Sequence, residues 1–150
     1  MSTPNLPSTN PSTPKARALV VDDIAENREI LAYYLGKAGY EVRTTEDGYM
    51  ALQGLVGGAI MRRSGEKPPQ FDIVFMDMQM PNVDGYECVR TLRSKGFRAP
   101  IVAVTAHTLT GDREKCLAAG CDDYVGKPFD PQQLLAVSEA LLNRARAQAA

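Results

Sequence analysis

Five residues, scattered over more than a hundred positions, carry the chemistry that this sequence could perform: Asp22, Asp23, Asp77, Thr105 and Lys127. Taken singly each has an ordinary explanation. Asp22 or Asp23 could N-cap a helix. Asp77 could be a turn residue before Pro81, Thr105 a capping hydroxyl, and Lys127 a solvated loop charge. Taken together they are three carboxylates, one hydroxyl and one ammonium. Clustered carboxylates repel one another unless a cation sits among them. An all-oxygen ligand set suits Mg²⁺ (or Mn²⁺), which keeps several waters and takes one or two carboxylates plus phosphate oxygens. A hard cation and an ammonium can neutralise charge on a transferring phosphoryl group. An Asp side chain can be the nucleophile, forming an acyl phosphate.

Whether these residues meet depends on the elements between them. Ala18–Val21, Phe71–Met76 and Ile101–Val104 are short continuous apolar runs, the pattern of strands covered on both faces. Tyr124-Val125 is a shorter candidate, and Glu41–Thr45 is polar enough for an edge strand. Helical spacing fills the intervals. Residues 24–38 place Leu31, Tyr34, Leu35 and Ala38 on one face and stop at Gly39. Residues 84–95 offer Tyr86, Val89 and Leu92 before Gly96, and a helix near 111–119 stops at Gly120. A last helix starts at Pro131, carries Leu134, Leu135, Ser138, Leu141 and Leu142, and frays near Arg146. With a second helix before Phe71, five strands alternate with five helices. That predicts an α/β fold: a five-stranded parallel sheet, doubly wound and flavodoxin-like, with helices on both faces. Ligands of such sheets bind outside the carboxyl ends of the strands. Asp22-Asp23, Asp77, Thr105-Ala106 and Lys127-Pro128 all follow predicted strand ends.

Composition sets the frame. The chain has 150 residues and a formal charge of -1, with 44% apolar and 23% charged residues, an ordinary globular balance for one domain. There is no basic excess of the kind nucleic-acid-binding domains carry, no apolar run near the roughly 20 residues that span a bilayer, and no apolar signal core. These features lead us to expect a cytoplasmic protein without membrane insertion or nucleic-acid binding. Cys88, Cys116 and Cys121 form no C-x-x-C pair, and one histidine, His107, leaves a Cys/His zinc site short of ligands. The cysteines are read as buried or incidental thiols. Residues 1–17 hold four of the ten prolines and read as a disordered leader; residues 18–146 form the domain, and 147–150 a frayed tail. Residues 54–70 form an insertion with four glycines, two prolines and Arg62-Arg63. It reads as a longer second helix and loop, or as a contact surface for a partner.

The sequence resembles the receiver domain of two-component response regulators. The likeness covers residues 18–143 and rests on VVDD at 20–23, VFMDMQMPNVDGYE at 74–87, VTAHT at 104–108 and AAGCDDYVGKPFD at 118–130. The 104–130 motifs look more like receivers fused to hybrid histidine kinases than those joined to DNA-binding domains. The resemblance implies that Asp77 is the phosphoacceptor. It implies that Asp22 and Asp23 bind Mg²⁺ directly or through water, together with Asp77 and the main-chain carbonyl of Gln79. Thr105 would be the switch hydroxyl that reorients toward the phosphoryl group, Lys127 the ion-pair partner of that group, and Lys127-Pro128 a cis peptide bond. Tyr124 falls where the family places an aromatic that swings inward as Thr105 moves; otherwise it is an ordinary strand aromatic. Gln79, Ala106 and His107 would flank the phosphoryl group and modulate its lifetime.

The function so implied is a phosphoacceptor switch in a phosphorelay. A histidine kinase or histidine phosphotransfer protein would supply the phosphoryl group in a Mg²⁺-dependent reaction. The surface around the fourth helix, fifth strand and fifth helix would then change and engage a downstream protein target. The chain would catalyse only its own phosphorylation and dephosphorylation. With four residues after Arg146, the output is expected to be a protein–protein contact, unless the chain is cut from a larger one. Three other readings compete less well. A phosphatase with an aspartyl-phosphate intermediate usually has an acid two residues past the nucleophile, where this chain has Gln79. A flavin-binding module needs a phosphate loop after the first strand, where Asp22-Asp23 would repel phosphate. A degenerate receiver is at odds with the presence of every expected residue.

Overall fold

The computed structural model describes residues 15–48, 71–80, 84–106 and 112–149. Within them the chain runs β1 (Arg17–Val21), α1 (Ala25–Lys37), β2 (Glu41–Thr45), β3 (Ile73–Asp77), α2 (Gly85–Ser94), β4 (Ile101–Thr105), α3 (Asp112–Ala119), β5 (Asp123–Gly126) and α4 (Pro131–Ala149). The strands form one five-stranded sheet in the order β2-β1-β3-β4-β5, and every neighbouring pair is parallel. The polar strand β2 is indeed at an edge.

Parallel strands joined by helices must be covered on both faces, and alternation along each strand assigns the faces. Leu19, Val21, Val74, Met76, Ile101 and Ala103 point to one side and pack with Tyr86, Val89 and Leu92 of α2 and Cys116 of α3. Ala18, Val20, Ile73, Phe75, Val102 and Val104 point to the other and pack with Leu31 and Leu35 of α1 and Leu134, Leu141 and Leu142 of α4. The predicted helix faces are thus the buried ones, with Tyr34, Ala38 and Leu135 partly buried beside them. Gly39, Gly96 and Gly120 stop their helices at φ of 101°, 92° and 119°, a left-handed conformation that side chains resist.

The boundaries shift in several places. The domain starts before residue 18: Arg17 opens β1, Ala16 is buried, and the Lys15 amide donates to the Gly39 carbonyl. Backbone pairing with the α1–β2 turn holds these residues, a contact that leader-like composition conceals. At the other end α4 continues to Ala149 rather than fraying near Arg146, in keeping with the helix propensity of its Ala-rich close. Asp77 and Thr105 are the last residues of β3 and β4 rather than the first beyond them. The N-cap of α1 is Ile24, not an aspartate: Asp22 Oδ1 accepts from the Ile24 amide instead. The expected second helix, the 54–70 insertion, Pro81, His107 and the leader up to residue 14 lie outside the described residues.

Candidate metal and phosphoryl site

The strand order puts β1, β3, β4 and β5 side by side, so their carboxyl ends share one edge. Asp22 and Asp23 follow β1, Asp77 ends β3, Thr105 ends β4, and Lys127 follows β5. Register keeps these ends level: Val21 pairs with Met76, Asp77 with Val104, and Thr105 with Gly126. The five sequence-predicted residues therefore sit at one edge of one sheet.

The acids are close and poorly solvated. Asp22 and Asp77 are each 1% exposed, and Asp23 is half-buried. One carboxylate oxygen from each of the three lies within 4.8 Å of the others. Lys127 Nζ is 3.6 Å from Asp22 Oδ2 and 3.3 Å from Asp77 Oδ1, so one ammonium faces two buried carboxylates. Asp77 Oδ1 also accepts from the Gln79 amide at 3.0 Å. Burial pushes the Asp77 carboxyl above the usual carboxylate range. The Gln79 amide and Lys127 oppose that rise, while Asp22 adds to it.

Three oxygens remain over. Asp22 Oδ2, Asp23 Oδ1 and Asp77 Oδ2 are buried without a hydrogen-bond partner. Buried polar atoms are seldom left so, and three carboxylates that bring an oxygen each within 4.8 Å of the others fit a hard divalent cation. The donor set can hold a metal ion, and among the described residues no other cluster of acids, cysteines or histidine can.

On the β4 side the Gln79 carboxamide reaches across. Its Nε2 donates to Thr105 Oγ1 at 3.1 Å, and its Oε1 accepts from the Ala106 amide at 3.3 Å. Thr105 is fully buried and Ala106 exposed. The Lys127 amide donates to the Thr105 carbonyl, and the Lys127-Pro128 bond is cis, as expected. Tyr124 is partly buried, paired with Ala103 and packed on the α2–α3 side of the sheet.

Three supporting residues escaped the sequence reading. Arg28 on α1 donates to the main-chain carbonyl of Asp22 at 2.8 Å. A β-carbon on Gly85 would lie 2.6 Å from the Asp77 carbonyl oxygen, so α2 touches the backbone of β3 at the site. At the opposite edge Arg93 donates to the carbonyls of Gly120, Phe97 and Ala99 and pairs with Asp122. The cysteines are free and buried. Burial pushes Cys88 up to about 11 and Cys121 up to about 12, so these thiols stay protonated and inert.

Comparison with known proteins agrees with this geometry. Residues 18–139 match the response regulator receiver domain. Over 147 residues the chain is 37% identical to the sensor histidine kinase RcsC of Salmonella typhimurium, covering 96% of this chain but 14% of that protein. Over 128 residues it is 41% identical to the response regulator MprA of Mycolicibacterium vanbaalenii, covering 85% of this chain and 51% of that one. The chain thus spans a fraction of these relatives. Among solved structures, the receiver domain of the sensor histidine kinase PA1611 of Pseudomonas aeruginosa matches with a TM-score of 0.72 and 32% identity, covering 85% of this chain and 98% of that one. That structure has a magnesium ion coordinated in its active-site cleft. The chemotaxis response regulator CheY4 of Vibrio cholerae matches with a TM-score of 0.68 at 32% identity, covering 84% of this chain and 98% of that one. With the match running through nearly the whole sheet and every strand-end residue, the chain belongs to the response regulator receiver domains of two-component signalling.

Proposed function

We propose that the chain is a phosphoryl-accepting switch in which Asp77 is the acceptor. The observation that carries this reading is the trio of buried oxygens on Asp22, Asp23 and Asp77 that have no hydrogen-bond partner, with Lys127 ion-paired to two of the acids. Asp22, Asp23, Asp77 and the main-chain carbonyl of Gln79 would hold Mg²⁺ (or Mn²⁺). When bound, that ion would neutralise charge on the equatorial oxygens of the transferring group. A carboxylate oxygen of Asp77 attacks the phosphorus of a phosphohistidine on a histidine kinase or phosphotransfer protein. The P–O bond forms as the P–N bond breaks, and the imidazole leaves with its electron pair and takes a proton. Lys127 holds the Asp77 carboxylate ionised and meets the added charge. Hydrolysis by water reverses the modification, so the chain acts only on its own aspartate.

The new group adds about 1.5 to 2 negative charges and three acceptor oxygens. Thr105 at the end of β4 offers a hydroxyl donor and Ala106 just beyond it an amide, and the Thr105 carbonyl is bonded to the Lys127 amide. A shift there reaches Tyr124 and the surface of α3, β5 and α4, which would engage a downstream protein in the cytoplasm. The test is chemical mapping. The protein is incubated with Mg²⁺ and phosphoramidate, then reduced with borohydride, which converts an aspartyl phosphate to homoserine with release of phosphate. Homoserine at position 77 alone is expected; homoserine at position 22 or 23 overturns the assignment.

A further inference from the structure

The Gln79 side chain holds the two donors that a phosphoryl group on Asp77 would need. Its Nε2 donates to Thr105 Oγ1 at 3.1 Å, the Thr105 hydroxyl lies 3.4 Å from its Oε1, and that Oε1 accepts from the Ala106 amide at 3.3 Å. Gln79 is an exposed residue, so hydrogen bonds rather than close packing keep its carboxamide in this place. Its backbone is anchored on both sides: the amide donates to Asp77 Oδ1, and a bridge pairs Gln79 with Asp84. The side chain is left to span from the end of β3 to the end of β4.

We propose that Gln79 is a resting-state keeper, a positioning residue that holds the Thr105 hydroxyl and the Ala106 amide away from Asp77 and must release both before the switch can turn. The proposal rests on the phosphoacceptor reading and adds to it the residue that sets the balance between the resting and switched states. An anionic phosphoryl oxygen is a stronger acceptor than a neutral carboxamide oxygen, so it wins the exchange once it is present. Without it, the carboxamide bonds bias the site toward rest. A ligand selects the switched state only against that bias. Removing the keeper therefore raises affinity for the phosphoryl group. This effect on the equilibrium is distinct from any effect of Gln79 on phosphoryl lifetime.

Gln79→Met tests this, since it preserves length, charge and the main-chain carbonyl while deleting the side-chain bonds to Thr105 and Ala106. In the metal-free protein, amide hydrogen exchange at Ala106 should quicken several-fold. Beryllofluoride, which stands in for the phosphoryl group on a carboxylate, is then titrated in the presence of Mg²⁺ and followed by backbone NMR. Two neutral hydrogen bonds, partly replaced by water, are worth about three- to tenfold in affinity. Gln79→Met should bind beryllofluoride tighter by that factor when each protein is saturated with Mg²⁺. General damage to the site would weaken both ligands together, and Gln79→Ala should behave as Gln79→Met does. Unchanged Ala106 exchange, or equal or weaker beryllofluoride binding in the variants, overturns the keeper while leaving Asp77 as acceptor. Failure of the parent itself to bind beryllofluoride overturns the phosphoacceptor reading and the keeper with it.

Discussion

Removing the Asp77 charge should make the metal-free protein more stable. Asp77 is buried against Asp22 and Asp23, with an oxygen of each acid within 4.8 Å of the others, while Lys127 stands 3.3 Å away. At an effective dielectric constant of about 20, like charges at the first distance repel by about 3.5 kcal/mol and opposite charges at the second attract by about 5 kcal/mol. Two such repulsions outweigh the one attraction by about 2 kcal/mol. Because Asp23 is half-buried and better screened, the net gain from Asp77→Asn is about 1 kcal/mol, or about 2–4 °C in melting temperature. An Asn oxygen can still accept from the Gln79 amide, and Lys127 keeps Asp22 as its partner.

The pH dependence follows from the same burial. The folded pKa of Asp77 lies above its ordinary value of 3.8, so between those two values the folded state holds a proton that the unfolded chain has lost. Its contribution to stability is complete below 3.8 and is lost as pH rises through the folded pKa. Asp77→Asn lacks this loss. Its advantage over the parent should therefore widen as pH rises across that window and level off above it. Urea unfolding in EDTA at a series of pH values measures the difference directly. A variant that melts at or below the parent in EDTA at neutral pH would mean that the three acids do not share a site.

Mg²⁺ at about ten times its dissociation constant should stabilise the parent by about 1.4 kcal/mol; Asp22→Ala and Asp23→Ala should each shrink that increment in a thermal melt. Gly85→Ala drives a β-carbon into the Asp77 and Met78 backbone and should lose about 1–3 kcal/mol along with Mg²⁺ affinity. Gly36→Ala, on an open face of α1 with nothing within 4 Å, should instead gain about 0.5–1 kcal/mol in the same denaturation assay. Arg93→Ala strands three carbonyls and Asp122 at the opposite edge and should cost about 3 kcal/mol in urea unfolding with little rescue by Lys, while leaving the Mg²⁺ increment unchanged.

What could be read from the residues was whatever repeats along the chain or stops it. The apolar runs announced four strands, and polar Glu41–Thr45 announced the edge, because burial on two faces, or on fewer, is written directly in composition. Gly39, Gly96 and Gly120 marked helix ends because a left-handed residue suits few others. Strand ends then located Asp22, Asp23, Asp77, Thr105 and Lys127. Contacts between distant segments were not legible in this way. Arg28 beneath Asp22, Arg93 among three carbonyls, and the grip of Gln79 on Thr105 and Ala106 join residues 6, 27 and 26 positions apart. No periodicity records such pairings. The place of Lys15 and Ala16 in the domain was missed for a related reason: they are held by Gly39 and Glu41, which leader-like composition does not reveal.

The most direct test of the account is Mg²⁺-dependent charging by acetyl phosphate, followed by intact mass for the parent and for Asp77→Asn. One phosphoryl adduct is expected on the parent, none when EDTA removes the metal, and none on Asp77→Asn. An adduct that persists on Asp77→Asn would contradict this, because the acceptor would then be another residue.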